Sequence, residues 1–290
     1  MTIFNFGSIN IDNFYHVSHM PAPGETLSAQ EHSVGLGGKG ANQSVAVTRA
    51  GSNVRHIGAV GPEGSWCVET LKEAGVGVNH VATLNVPTGH ANILVDAEGE
   101  NQIVLYSGAN TAMTVTFIED ALKDAAAGDT LILQNETNLT TEAAKLARAR
   151  AMRVIYSAAP FTAEAAKKML PVTDMLVLNQ IEAQQLTEAL GVALADLEVP
   201  VVLITKGADG AVWIENGVET AQVPAFPVTP VDTTGAGDCF IGYVAAGLDQ
   251  GMMPEDAMRF GAAASALKVT RFGTADAIPK RDEVDRFLQG

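Results

Sequence analysis

The chain has 290 residues, 47% of them hydrophobic, and its 18 basic against 33 acidic side chains give a formal charge of −15. That field repels phosphodiester backbones and anionic lipid and so argues against nucleic acid or a membrane surface as partner, although a local nest of main-chain N–H groups can still hold a small anion. The two cysteines, Cys67 and Cys239, have no metal-ligand spacing, which excludes a disulfide scaffold and a thiolate metal site and favours a reducing compartment, with the cytoplasm as the expected location.

The N-terminal MTIFNFGSIN lacks the basic start and long apolar core of a signal peptide, and no apolar run approaches the ~18 residues of a membrane span. Residues 2–7 (TIFNFG) read as a first strand, stopped at Gly7-Ser8. Residues 9–34 are β-rich without a helical pattern. A helix over 41–50 ends at Gly51, a strand occupies 53–60, and a second helix over 63–74 closes at Gly75. Residues 88–108 are again β-rich, and ANILVDAEGENQIVLYS alternates around a turn at 97–100, a hairpin pattern. Short apolar runs at 130–134, 153–157, 175–178 and 199–205 read as buried parallel strands, with helices over 140–150, 163–170 and 181–190 between them. The hairpin AVWIENGVETAQV turns at Asn216-Gly217, and helices over 235–248, 254–270 and 281–288 end the chain. This alternation predicts an α/β fold: a doubly wound, mainly parallel sheet flanked by helices, in one domain spanning 1–290. The stretches 9–34 and 88–108 are expected to form a small accessory β-sheet.

Glycine clusters carry the strongest signals. Gly35, Gly37 and Gly40 match G-x-G-x-x-G, but a dinucleotide site needs an apolar strand just upstream, and the sequence there is AQEHS. A P-loop fails as well, because Gly38-Lys39 is followed by Gly40 rather than Ser or Thr. What remains is bare backbone around Lys39 entering a helix that carries Asn42, suited to close approach of a polar ligand. Gly235-Ala236-Gly237-Asp238 is sharper. It opens an apolar helix whose first-turn N–H groups would lack partners, which makes an anion seat. If a phosphoryl group sits there, Asp238 in the same turn is placed to take the proton of an attacking hydroxyl. The plain alternative, an acid that merely favours the helix dipole, does not need two glycines before it.

Asn10 and Asp12 stand two apart after the first strand, where an amide and a carboxylate facing one way can clamp vicinal hydroxyls; N-x-D is also ordinary Asx-turn chemistry. Glu136 follows the strand at 130–134 and on its own reads as a solvated acid. Asn179 and Glu182 have the spacing of an N-cap and its capping-box glutamate, which is compatible with a further role. Thr205-Lys206-Gly207-Ala208-Asp209-Gly210 either lines a nucleotide or is a plain loop. The six histidines show no zinc spacing.

Taken together, GSINID (7–12), PAPGETL (21–27), GGKGANQ (37–43), EGEN (98–101), SGAN (107–110), LITKG (203–207) and DTTGAGD (232–238) run in order over nearly the whole chain and resemble the ribokinase-like carbohydrate kinase family. The resemblance implies a phosphotransferase that moves the γ-phosphate of ATP onto the terminal hydroxyl of ribose. ATP and Mg²⁺ are the implied cofactors, with K⁺ as a candidate activator. Asp238 then corresponds to the catalytic base, Gly235 and Gly237 to its anion hole, and Asn10, Asp12, Gly38, Lys39, Asn42 and Glu136 to sugar-holding positions. Asn179, Thr205, Lys206, Gly207, Gly210 and Gly237 correspond to nucleotide positions, and Glu182 to the residue that orders magnesium through water. Asp232, Thr234, Lys268, Arg271 and Gly273 correspond to a monovalent-cation loop. The accessory sheet resembles the family's lid, which covers the sugar and often forms the dimer contact, so a homodimer through that sheet is expected. There are departures: the family's N-P-A-P reads Ser157-Ala158-Ala159-Pro160, residues 191–200 are shorter than usual, Ala277 stands for a serine near the cation, and Ala262 for a larger side chain near adenine. A same-family kinase for deoxyribose, a nucleoside or another sugar stays open, as does a sugar-binding sensor without catalysis.

Overall fold

Residues 3–6 are all buried, and strand alternation sends Phe4 and Phe6 to one face and Ile3 and Asn5 to the other, so this strand needs cover on both sides. The computed structural model, which describes residues 1–290, places it, β1 (Ile3–Phe6), inside a nine-stranded sheet. The chain continues through β2 (Asn10–His16), β3 (Glu31–Gly37), α1 (Lys39–Arg49), β4 (Val54–Val60), α2 (Ser65–Glu73), β5 (Gly77–Thr83), β6 (Gly89–Val95) and β7 (Asn101–Tyr106). Next come α3 (Val115–Ala121), β8 (Thr130–Leu133), α4 (Thr140–Ala149), β9 (Arg153–Ser157), α5 (Ala163–Met169), β10 (Met175–Asn179), α6 (Gln180–Leu190) and β11 (Val201–Thr205). The hairpin of β12 (Ala211–Glu215) and β13 (Val218–Val223) precedes α7 (Ala236–Asp249), α8 (Pro254–Val269) and α9 (Arg281–Gln289).

The large sheet has the order β13-β12-β11-β10-β9-β8-β1-β4-β5 and is parallel from β11 to β5, with the hairpin antiparallel at one edge. The chain grows from β1 to β4 and β5 on one side, then through β8 to β11 on the other. The topological switch therefore falls between β1 and β8, and the crevice at their C-terminal ends is where such sheets receive ligands. Helices α1, α2, α7, α8 and α9 pack on the Ile3 face, and α3 to α6 on the Phe4 face. The doubly wound arrangement is as expected. No helix is long and apolar enough to cross a membrane.

The second sheet has four strands in the order β3-β2-β6-β7, with β2 parallel to β6 and antiparallel to β3. It joins the large sheet at the end of β1 through Gly7-Ser8-Ile9. Asn216 and Gly217 both adopt positive φ (48° and 80°), the geometry of a two-residue hairpin turn.

Three local readings need correction. The β-rich stretch from residue 9 runs on to Gly37, so Gly35 to Gly37 are strand rather than loop, and α1 starts at Lys39 instead of 41. The helix read over 63–74 begins as a 3-10 turn at Pro62–Gly64, and α2 follows from Ser65. Strand β5 and helix α3 had no signal: β5 is only half-buried, and α3 buries only Ile118 and Ala121, too little for a visible period.

Helices α1 and α7 cross with almost no space between them. A Cβ at Gly242 would lie 2.4 Å from the Ala46 Cβ and 2.8 Å from the Gln43 carbonyl oxygen. Gly242→Ala is therefore expected to push the helices apart, at an overpacking cost of about 1–3 kcal/mol. Thermal unfolding should register this as a midpoint several degrees lower; an unchanged midpoint would mean that the crossing relaxes freely.

Candidate active site

Helix α7 begins where the large sheet's crevice opens. Its N-cap, Gly235, sits at φ 74° and has no side chain to cap the helix. The Ala236 N–H turns back to the Thr233 carbonyl oxygen (3.1 Å), but the N–H groups of Gly235, Gly237 and Asp238 find no acceptor in the protein. A Cβ at Gly237 would meet nothing within 4 Å, so the approach to these amides is open. Three free N–H groups at the positive end of a 14-residue helix form an anion seat.

Asp238, the third residue of α7, is buried beside that seat. Each carboxylate oxygen accepts one hydrogen bond from a neutral amide on α1: Asn42 Nδ2 donates to Oδ2 at 3.1 Å and Gln43 Nε2 to Oδ1 at 3.0 Å. Neutral donors orient the group without cancelling its charge, as a paired lysine or arginine would. Behind Gln43 the hydrogen bonds continue into the core. Gln134 Nε2 donates to Gln43 Oε1 (2.7 Å) and Asn5 Oδ1 (2.9 Å), and Asn5 Nδ2 donates to Ser44 Oγ (2.9 Å) and the Gly40 carbonyl oxygen (2.8 Å). Ser44 Oγ in turn meets His56 Nδ1 at 2.8 Å, and burial pushes His56 down to about 4, leaving it neutral. Asn5, Gln43, Ser44, His56 and Gln134 are wholly buried. Of these five only Gln43 lies in one of the motifs, GGKGANQ, and none was given a role from the sequence, because a lone buried polar side chain leaves no spacing to detect.

On the small sheet, Asn10 and Asp12 occupy one face of β2 and are buried. Their room comes from glycines on the neighbouring strands. A Cβ on Gly37 would lie 2.0 Å from an Asp12 carboxylate oxygen, and one on Gly89 would lie 2.2 Å from Asn110 Nδ2 and 2.5 Å from Asn10 Oδ1. Asn110, missed as a site residue although it lies in SGAN, donates to Asn10 Oδ1 (2.7 Å) and accepts from the Ile9 N–H (2.9 Å). The Asp12 carboxyl is pushed up to about 7, first by burial and then by the charges of Glu136 and Asp238, with no hydrogen bond to offset them. Glu136 accepts from the Lys39 N–H at 3.0 Å and from Ser8 Oγ, so it pins the loop containing Gly38 rather than standing in solvent. Lys39 is held above the usual lysine value chiefly by Asp238, with Glu136 and Glu182 adding and burial opposing. Glu136 and Asp238 thus act on both Asp12 and Lys39. Asn42 adds an orphan acceptor, because its Oδ1 is buried without a partner.

On the other side of the anion seat lies a cavity of about 580 Å³, lined by Thr205, Gly207 and Gly210, the segment around Phe226, Gly237, and Ala262 and Ser265 of α8. That volume is in the range of small-molecule sites. The short side chain of Ala262 leaves the α8 wall of the cavity low. Lys206 does not line it; its N–H bonds the Gly210 carbonyl oxygen (2.7 Å) and closes the loop. Asn179, paired in register with Thr205, spends its side chain on the cap of α6, accepting from the Glu182 N–H at 2.8 Å. Glu182 Oε2 completes the capping box on the Asn179 N–H, and burial raises its carboxyl while Lys39 opposes.

Thr234 and Gly273 point N–H donors at the Asp232 carboxylate (2.8 and 3.0 Å), and Arg271 turns away to Glu283 (2.5 Å). Lys268 brings its own ammonium to the Asp232 carbonyl oxygen at 3.0 Å. The groups that bond Asp232 are all donors, whereas the carbonyl oxygens of Thr234, Arg271 and Gly273 accept no hydrogen bond in the protein.

A family model described as pfkB family carbohydrate kinase matches residues 2–281. A ribokinase from Haemophilus influenzae is 34% identical over 306 aligned positions, covering 99% of this chain and 98% of its own, and a deoxyribokinase from Salmonella typhi is 31% identical over 303, covering 99% of each. Among solved structures, a ribokinase from Thermotoga maritima superposes with a TM-score of 0.89 at 33% identity, covering 100% of this chain and 99% of its own. An Arabidopsis thaliana ribokinase complexed with ribose and ATP gives 0.86 at 27%, covering 99% and 98%.

Asp12 generates a pH prediction. Its carboxyl is raised from 3.8 to about 7, so its contribution to stability is complete below 3.8 and lost as pH rises through about 7. Asp12→Asn has no such loss, so its unfolding midpoint should climb relative to wild type between about pH 4 and about pH 7. Parallel melting curves for the two proteins would show that the carboxylate is not desolvated.

Proposed function

Because the chain belongs to the pfkB family of carbohydrate kinases, we propose that it is an ATP-dependent kinase that phosphorylates the terminal hydroxyl of ribose to give ribose 5-phosphate. The observation that carries this reading is a single one: a carboxylate held by two neutral amides stands beside three unpaired helix-end N–H groups, at the mouth of a nucleotide-sized cavity.

Asp238 accepts the proton of the sugar hydroxyl as its oxygen attacks the γ-phosphorus; the bond to the β-phosphate oxygen breaks in line and ADP leaves. The N–H groups of Gly235, Gly237 and Asp238 take the charge on the transferred phosphoryl group, which in this loose transition state needs positioning more than a strong base. Lys39 lies in the fields of both Asp238 and Glu182 and adds a positive charge to the path. Asn10 and Asp12 clamp the sugar hydroxyls, Asn42 Oδ1 accepts another, and Gly38 and Glu136 shape that end. ATP fills the cavity by Thr205, Gly207 and Gly210, with Asn179 and Lys206 holding the loop geometry around it. One carboxylate with a free oxygen fits magnesium, which is commonly held by one or two carboxylates, phosphate oxygens and water; Glu182 would hold it through water, and the ion would supply charge neutralisation.

We also read the small sheet as a lid within one domain and as the contact of a homodimer. All of β7 is exposed, including the contiguous Ile103, Val104, Leu105 and Tyr106, an apolar edge strand of the kind a second copy covers. Both cysteines are buried and free, with thiols raised by burial, which supports a cytoplasmic protein.

The decisive assay is ATP consumption with magnesium over ribose, deoxyribose, fructose and ribonucleosides. Turnover is expected to be highest on ribose; a preference for deoxyribose or nucleosides would move the substrate and keep the chemistry. Asp238→Asn should lose about 10²–10⁴ in kcat with a modest change in sugar KM, since a hydrogen-bonding group remains. Equal turnover in both proteins would remove Asp238 as the base. Ribose binding by wild type without turnover on any acceptor would instead mark a sensor. Sugar affinity should rise with pH through about 7, because hydroxyl donors favour the ionised form of Asp12.

A further inference from the structure

Lys268 is the only lysine or arginine that the fold buries, with no exposed surface at all. It lies in the last turn of α8, yet its side chain does not reach for solvent. It runs beneath the loop that leads into α7, where the ammonium donates to the Asp232 carbonyl oxygen at 3.0 Å and lies 4.0 Å from Asp232 Oδ2. The same loop is hooked to α8 by the Val231 and Asp232 N–H groups, both bonded to the Val269 carbonyl oxygen (2.7 and 3.1 Å). The Asp232 carboxylate is already occupied by the N–H groups of Thr234 and Gly273. Three residues after Asp232 the free amides of the anion seat begin. Burial lowers the proton affinity of Lys268, and the charges of Asp232 and Asp238 oppose that loss.

A buried ammonium is expensive unless its charge is used. Here it bonds the Asp232 carbonyl oxygen and stands 4.0 Å from the carboxylate, so a second cation beside it would be repelled. We propose that the Lys268 ammonium is the tethered cation of this loop, a positioning residue that fixes residues 232–235 beneath the anion seat, so that the kinase works without a monovalent ion from solution. This inference rests on the kinase reading for its catalytic consequence but not for its binding consequence.

The test compares wild type, Lys268→Ala and Lys268→Met in buffers with no alkali cation, then with added potassium or ammonium. Wild-type turnover should change less than about twofold on adding potassium. Lys268→Ala, which removes the tethered charge and opens space for an ion, should lose at least about tenfold in kcat with a smaller change in sugar KM, and should recover with potassium or ammonium. Lys268→Met fills that space without charge and should stay low whatever ion is present. Melting curves give a readout that needs no turnover: potassium or ammonium should raise the midpoint of Lys268→Ala and leave wild type unmoved. Several-fold activation or thermal stabilisation of wild type by potassium overturns the proposal, and that measurement stands even if neither variant folds. A folded Lys268→Ala indifferent to every cation overturns it as well. If no sugar is phosphorylated by any of the proteins, the kinase reading fails, while the melting response still decides whether Lys268 stands in for an ion.

Discussion

Two amides on α1 hold one carboxylate on α7, and much of the fold is arranged so that they can meet. The helices must cross backbone to backbone, which requires a residue without a Cβ at Gly242 and a short one at Ala46. Gln43 then lies inside the protein, where an unpaired amide would be costly, so Gln134 on the end of β8 and Asn5 on β1 supply its partners. The central strands and the helix carrying Asp238 are in this way one hydrogen-bonded body. An amide network suits the purpose because it fixes direction while carrying no net charge.

The electrostatics on the two sides of that carboxylate differ in kind. Towards the sugar, Asp12, Glu136 and Asp238 crowd together with Lys39 as counter-charge, and Asp12 is left with a strongly raised proton affinity. Towards the nucleotide, positive potential comes from main-chain dipoles at the start of α7 and from an ammonium placed below the loop. A protein with a formal charge of −15 can therefore present a local site for phosphate without building a basic surface.

Much of this was legible in the sequence, and the reasons are specific. Buried parallel strands such as β8 and β10 are short apolar runs, and Gly235-Ala236-Gly237-Asp238 announces a helix start that no side chain caps. Asn216-Gly217 fixes its hairpin through backbone geometry alone. Half-buried β5 and largely exposed α3 lack a periodic apolar face, so nothing in their composition marks them. The roles of Gln43, Gln134 and Asn110 were hidden for a different reason: each matters through a partner 91 to 195 residues away, and a single chain has no record of such pairings. Lys268 shows the reverse case. Its position was expected to belong to a cation loop, but the chemistry of a lysine there became meaningful only once its ammonium was seen to point inward.

Gly37 and Gly89 carry no functional atom, yet the sugar side of the site depends on what they lack. Asp12 and the Asn10–Asn110 pair occupy the volumes that a methyl group at either position would fill. In a survey of inactivating mutations these two positions would score as severely as Asp12 itself. A map of essential residues for this protein would thus overcount its chemical groups, because part of it would record space reserved for other side chains.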